Sequence, residues 1–80
     1  MLKELTMTGT IRVKVPELLK ERNLNYEDLH FGARITKPTA ERLSEGQAEG
    51  ITFAVLANLC HFFHVGVSDI LEYIPQEQSS

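Results

Sequence analysis

Three donor side chains stand close together near the middle of the chain: Lys37, Thr39 and Arg42. An ammonium and a guanidinium can donate to the O6 and N7 atoms of guanine, a contact worth on the order of 1–3 kcal/mol of discrimination against a wrong base. The threonine hydroxyl can reach a base or a phosphate. A second group with possible chemistry is Cys60, His61 and His64. A structural zinc needs four such ligands. His61 and His64 lie one helical turn apart, but Cys60 belongs to an apolar stripe and no distant partner completes the set. They read as a core thiol and two helix-end histidines, the latter favourable beside the negative end of a helix dipole. The same geometry separates Cys60 from a histidine base. The sequence has no Gly-rich phosphate loop and no convergent carboxylate pair, so neither an enzyme nor a metal or other cofactor is expected.

The three donors depend on what holds them. Residues 25–46 read NYEDLHFGARITKPTAERLSEG, two short helices joined by a tight turn. Asn25 is a good N-cap, and Asp28 three residues on makes a capping-box pair for the first helix. Thr36 is expected to cap the second helix in the same way. Pro38 falls in that helix's first turn, where a missing N–H costs little. Leu29 and Ala33 share a face, Ile35 sits in the turn, and Leu43 faces inward from the second helix. Helices this short cannot stand alone, so the unit must lean on the rest of the chain.

Before this unit, TIRVKV at residues 10–15 alternates, with Ile11, Val13 and Val15 on one side, which is a strand pattern. No second run alternates as well. The strand is therefore expected either to pair with its own copy across a two-fold axis or to pack on the core as an extended lead-in. Pro16 opens a helix ending at about Arg22, with Asn23 in the left-handed position beyond it and Leu18, Leu19 and Leu24 inward. After the polar loop QAEG, Thr52 caps a longer helix. Its expected inner stripe is Phe53, Leu56, Leu59, Cys60 and Phe63. Ser68 is expected to cap a fifth helix, with Asp69 in its first turn, Ile70, Leu71 and Ile74 packing, and Pro75 stopping it. Residues 1–9 and 76–80 read as loose ends of one 80-residue domain. The expected class is all-α, five helices preceded by a short strand.

These caps and apolar positions, continued through GITFAVLANLCHFFHVGVSDILEYIP, resemble the Cro/cI-type (Xre) helix-turn-helix transcriptional regulators, the lambda-repressor-like DNA-binding domains. The likeness spans roughly residues 11–75. It implies a lambda-repressor-like bundle whose third helix enters the major groove of double-stranded DNA. It carries base contact onto Lys37, Pro38 and Arg42, with Thr36 near a thymine methyl. Phosphate contact falls on Asn25, Tyr26 and the loop from Glu45 to Ala48, including Gln47; Thr39 and Glu41 complete the candidate DNA-binding set. Several positions depart from the family pattern. Arg34 replaces the usual turn glycine and would need a positive φ. His30 stands where a small residue lets the two helices approach, and Ala40 where a bulky one fills the interior, so the two changes trade volume. Tyr26 replaces a frequent glutamine while keeping a hydrogen-bonding group. Pro38 carries no polar atom to a base edge, and Glu45 and Glu49 would repel phosphate.

Charge is uneven along the chain. Up to residue 42 there are eight basic residues against six acidic ones, a net of +2, whereas residues 43–80 hold five acids and no Lys or Arg, a net of −5. A locally positive face on an acidic protein is compatible with DNA contact. The single cysteine excludes an intramolecular disulfide and suits a reducing compartment. MLKELTMTGT lacks the apolar core of a signal peptide and no run approaches membrane-spanning length, so a cytoplasmic protein without membrane contact is expected. The implied function is a sequence-specific transcriptional regulator, a homodimer on a near-palindromic operator with Ile11, Val13 and Val15 at the dimer contact. The alternative is a helix-turn-helix-derived protein-interaction module, an antitoxin or phage-type accessory factor, using Tyr26, Phe31 and Phe62 as exposed aromatics.

Overall fold

The computed structural model describes residues 9–75. Four helices follow strand β1 (Thr10–Val13): α1 (Val15–Glu21), α2 (Tyr26–Gly32), α3 (Lys37–Ser44) and α4 (Phe53–Phe63). A 3-10 turn (Val67–Asp69) then leads into strand β2 (Leu71–Ile74). The loose ends expected at 1–9 and 76–80 fall, Gly9 apart, outside the described residues. No helix among the described residues is long and apolar enough to cross a membrane.

The C-terminal segment corrects two expectations. It is a strand rather than a fifth helix, and it supplies from within the chain the partner that β1 was expected either to seek in a second copy or to forgo as an extended lead-in packed on the core. The strands are antiparallel, with Thr10 opposite Ile74, Ile11 opposite Tyr73, Arg12 opposite Glu72 and Val13 opposite Leu71. The Lys14 N–H donating to the Ile70 carbonyl at 2.7 Å extends the ladder by one step. Seven residues from Ser68 to Ile74 would make a marginal helix, whereas LEYI carries strand-favouring side chains and finds a waiting row of backbone groups. Ser68 lies inside the 3-10 turn and caps nothing; the residue preceding that turn is Gly66.

Opposed residues share a sheet face. Val13 and Leu71 pack on the core, while Ile11 and Tyr73, farther along the same face, are 56% and 57% exposed. On the opposite face Arg12 reaches Glu72 at 3.2 Å and hydrogen-bonds Glu17 of α1. That hydrogen bond with Arg12 is the main cause holding the Glu17 carboxyl below its usual range. Val15 is not part of the strand. It opens α1 and is buried, with Pro16 in the second helical position.

The core is built from Val13, Val15, Leu18, Leu19, Leu29, Ala33, Ile35, Ala40, Leu43, Leu59, Phe63 and Ile70. Helix α4 contributes less of its length than its stripe suggested. Leu59 and Phe63 are fully buried, and Leu56 and Cys60 pack only partly against them. Phe53, in the first turn, is 88% exposed. The reason is positional: the Thr52 hydroxyl accepts from the Val55 N–H at 3.1 Å and starts α4 at the rim of the domain. At its far end the Arg22 guanidinium donates to the Phe63 carbonyl at 2.7 Å and lies 5.5 Å from the Phe63 ring centre.

The four helices are left through Asn23 (φ 59°), Arg34 (φ 58°), Gly46 (φ 75°) and His64 (φ 59°). Asn23 and Arg34 were the two of these expected from the sequence.

Leu59→Ala should therefore destabilise the domain by about 2–5 kcal/mol, and Leu56→Ala by clearly less, since only the first removes a fully enclosed side chain. Denaturant titration of both checks this; equal losses would contradict the burial difference. A second expectation concerns Arg34. Leaving the left-handed region to glycine removes a cost of about 1–2 kcal/mol, against roughly 0.5–1 kcal/mol of extra chain entropy in the unfolded state. Arg34→Gly should raise the unfolding midpoint, and a lowered midpoint would show that the arginine side chain contributes more than its backbone strain costs.

Candidate nucleic-acid interface

Two helices and a four-residue turn carry the candidate site. Helix α2 begins where the sequence places it. The Asn25 side chain accepts from the Glu27 and Asp28 N–H groups at 2.9 and 3.1 Å, and Asp28 accepts from the Asn25 N–H at 2.9 Å, the reciprocal capping box. Leu29 anchors this helix in the core, and Ala33, which ends it, is also buried. Gly32 admits the Phe62 ring of α4, which a Cβ at that position would overlap. Phe62 is thus a packed residue rather than an exposed one, and Tyr26 is half-buried. Of the three aromatics expected on the surface, Phe31 is the exposed one, at 75%.

Helix α3 has two distinct sides. Ala40 and Leu43 are buried, and this fixes which residues look outward. Thr36, Lys37, Pro38, Glu41 and Arg42 are exposed, with Thr39 half-buried beside them. Asn25 and Gln47, at the start of α2 and beyond the end of α3, are exposed as well. The structure therefore brings Thr36, Lys37, Pro38, Thr39, Glu41 and Arg42 onto one short helix and its N-cap, flanked by Asn25, Tyr26 and Gln47. Val13 and Val15 are buried in the chain's own core, and Ile11 is the exposed member of that trio.

Electrostatics separate these cations from others. Arg12 is engaged by two carboxylates and Arg22 by a carbonyl. Among the described residues, the ion pairs are those of Arg12, so Lys37 and Arg42 keep their donors for an outside partner. A groove beside α3, lined by Thr39, Arg42 and Leu43 on one side and by Ala48, Ile51 and Val55 on the other, also carries Glu49. Glu49 and exposed Glu45 place negative charge next to the same face, as the sequence suggested.

Two features correct or extend the sequence reading. The side-chain cap expected at Thr36 is not made: the residue has N-cap backbone geometry, but its hydroxyl donates to the Thr39 hydroxyl at 2.9 Å. His30 of α2 reaches across the turn, its Nδ1 lying 2.6 Å from the Ile35 carbonyl. A histidine where the pattern wanted a small residue was the only signal, and it spoke of volume rather than of a bond. Cys60 packs partly against the core, and His61 and His64 are exposed with ring centres 6.0 Å apart. Among the described residues no three His, Cys, Asp or Glu side chains are grouped to hold a metal ion.

The crystal structure of the transcriptional regulator VanUg is similar in fold, with a TM-score of 0.70 over 89% of this chain and 93% of that one, at 21% sequence identity. No curated protein sequence matches the chain. Residues 14–76 match the family model of the Cro/C1-type HTH DNA-binding domain, which spans α1 through β2, and the chain belongs to that family of helix-turn-helix DNA-binding proteins.

Proposed function

We propose that the protein is a sequence-specific transcriptional regulator that reads the major groove of double-stranded DNA with α3 and acts as a homodimer in the cytoplasm. One observation carries the reading. Helix α3 turns Lys37 and Arg42 outward with no ionic partner among the described residues, above a face closed by Ala40 and Leu43. Arg42 and Lys37 take guanine O6 and N7, Thr36 meets a thymine methyl, and Thr39 reaches a base or phosphate. Asn25, Tyr26 and Gln47 hold the backbone on either side, contacts that set register without reading sequence. Pro38 and Glu41 restrict which bases can lie opposite α3. No catalytic role is assigned to any residue.

The dimer contact is placed on the exposed end of the sheet around Ile11. A symmetric dimer would present two copies of α3 to a near-palindromic operator, with half-site centres about 34–36 Å apart. A second reading, a protein-interaction module, draws support from Phe31, exposed on α2 next to the reading helix.

The experiment is selection of bound duplexes from a random pool, followed by titration of wild type and Arg42→Ala against the selected site and a scrambled one at several salt concentrations. Arg42→Ala should relax the preference at one base position in each half-site, a loss of about 1–3 kcal/mol at that position. Both duplexes should release the protein as salt rises, the slope reporting the number of phosphates contacted. Equal wild-type affinity for the two duplexes would sink specific readout. No binding at low salt would hand the case to the protein partner. Sedimentation tests the dimer separately. Ile11→Asp should shift the protein toward monomer with little change in its unfolding midpoint, because Ile11 is not part of the core. An unaltered dimer would put the interface elsewhere.

A further inference from the structure

We propose that His30 is a positioning residue for DNA readout, holding the first turn of α3 in place through the Ile35 carbonyl. The inference rests on the reading of α3 as the DNA-reading helix. It begins with a difference between helix starts. Helix α2 has its capping box at Asn25 and Asp28, and α4 has the Thr52 hydroxyl on the Val55 N–H. Helix α3 has no side-chain cap; the Thr36 hydroxyl donates instead to the Thr39 hydroxyl. The chain enters it through Arg34 at φ 58°, a conformation that an arginine does not favour. The Thr36–Thr39 bond ties the first turn only to itself and does not pin that turn to the rest of the fold.

His30 does so from across the turn. A carbonyl only accepts, so the Nδ1 atom 2.6 Å from the Ile35 oxygen carries the proton. Ile35 is the residue immediately before the N-cap. Its carbonyl lies outside the α3 ladder, which begins with the Ala40 N–H donating to the Thr36 carbonyl at 2.9 Å. The Ile35 side chain is buried, so the peptide is held from one side by packing and from the other by the imidazole. Lys37 and Thr39 follow within four residues. A base contact needs a donor placed to within a few tenths of an ångström, and a drift in the first turn moves those donors together. Phosphate contacts tolerate such drift because they are longer-ranged and carry no sequence information. Loss of the His30 bond should thus cost specificity before it costs affinity for DNA in general.

The test uses three variants of the full chain. His30→Asn places an amide N–H close to where Nδ1 lies; His30→Gln carries its amide farther out; His30→Leu fills the space without a donor. Two measurements are made on each. The first is the ratio of affinities for a selected and a scrambled duplex. The second is amide exchange of Ala40 in the free protein, referred to Leu59 of α4. His30→Leu and His30→Gln should lower the affinity ratio about fivefold or more, with scrambled-site binding near wild type, the factor expected for one hydrogen bond. Ala40 should exchange faster by a similar factor relative to Leu59, and His30→Asn should restore both. An unchanged ratio in His30→Leu, a ratio lost equally in His30→Asn, or Ala40 and Leu59 accelerating together would overturn the proposal, the last by showing a merely global loss of stability. Wild type showing no preference between duplexes would instead overturn the reading of α3. Unaltered Ala40 exchange in His30→Leu would then still refute the pin.

Discussion

Among the described residues the helices hold seven, seven, eight and eleven residues, and helices this short can bury a core only if the chain turns sharply out of each one. It does so four times through a single left-handed residue, and three of those residues are not glycine. Each non-glycine exit costs about 1–2 kcal/mol, a large share of the stability of a domain this small. What offsets the cost is visible one residue on. Leu24, Ile35 and Val65 follow Asn23, Arg34 and His64, and all three pack into or against the core. At two of these exits the next residue also returns an N–H to the helix just left, Leu24 to Leu19 at 2.8 Å and Val65 to Cys60 at 3.0 Å. The left-handed residue is thus the hinge by which an apolar side chain is delivered inward. Gly46, where the next residue is exposed Gln47, has no such delivery and is the position where the chain uses glycine.

Much of this was legible in the residues. The capping box at Asn25, the start at Thr52, the left-handed Asn23 and Arg34, and the inward Leu29, Ala33, Ile35 and Leu43 all follow from local rules with short range. Helix existence depends on caps and on a periodic stripe, and both are written in neighbouring positions. The C-terminal segment failed for the opposite reason. Whether Leu71 to Ile74 is helix or strand is decided by Thr10 to Val13, some sixty residues away, and no local pattern reports that pairing. Phe53 failed because a stripe on a helical wheel does not say how far along the helix the core extends. His30 was noticed as a volume anomaly, but the atom that matters is Nδ1, and its partner is a backbone oxygen that every sequence possesses.

The distribution of cations follows from the same division between structure and partner. The net charge of −3 opposes the approach of a polyanion at long range. Yet Arg12 bridges the two strands and α1 through Glu72 and Glu17, and Arg22 closes the end of α4 on the Phe63 carbonyl. Those two guanidiniums are committed to the fold, and the Arg12 charge is also neutralised by its two carboxylates. Lys37 and Arg42 are not committed, and they sit on α3, the helix proposed above to read DNA. Net charge governs long-range attraction, while a few unpaired donors on a rigid face govern what is recognised at contact. With Glu45 and Glu49 beside α3, long-range attraction is weak here, and discrimination must come from the placement of a small number of groups.

That places an unusual demand on the start of α3. A basic surface can tolerate a reading helix that shifts, because many contacts average the error. Two donors cannot. The fold answers by fixing α3 from outside itself: its inner face by Ala40 and Leu43 in the core, its entry by the buried Ile35 side chain, and the Ile35 carbonyl by an imidazole from α2. Helix α2 is in turn the one whose own start is doubly capped and whose far end receives the Phe62 ring at Gly32. Order is therefore passed from the short helix with the capping box to the one proposed to meet a partner. His30 and Ala40 therefore do more than share out volume between the two helices, because His30 also fastens the turn by a directional bond.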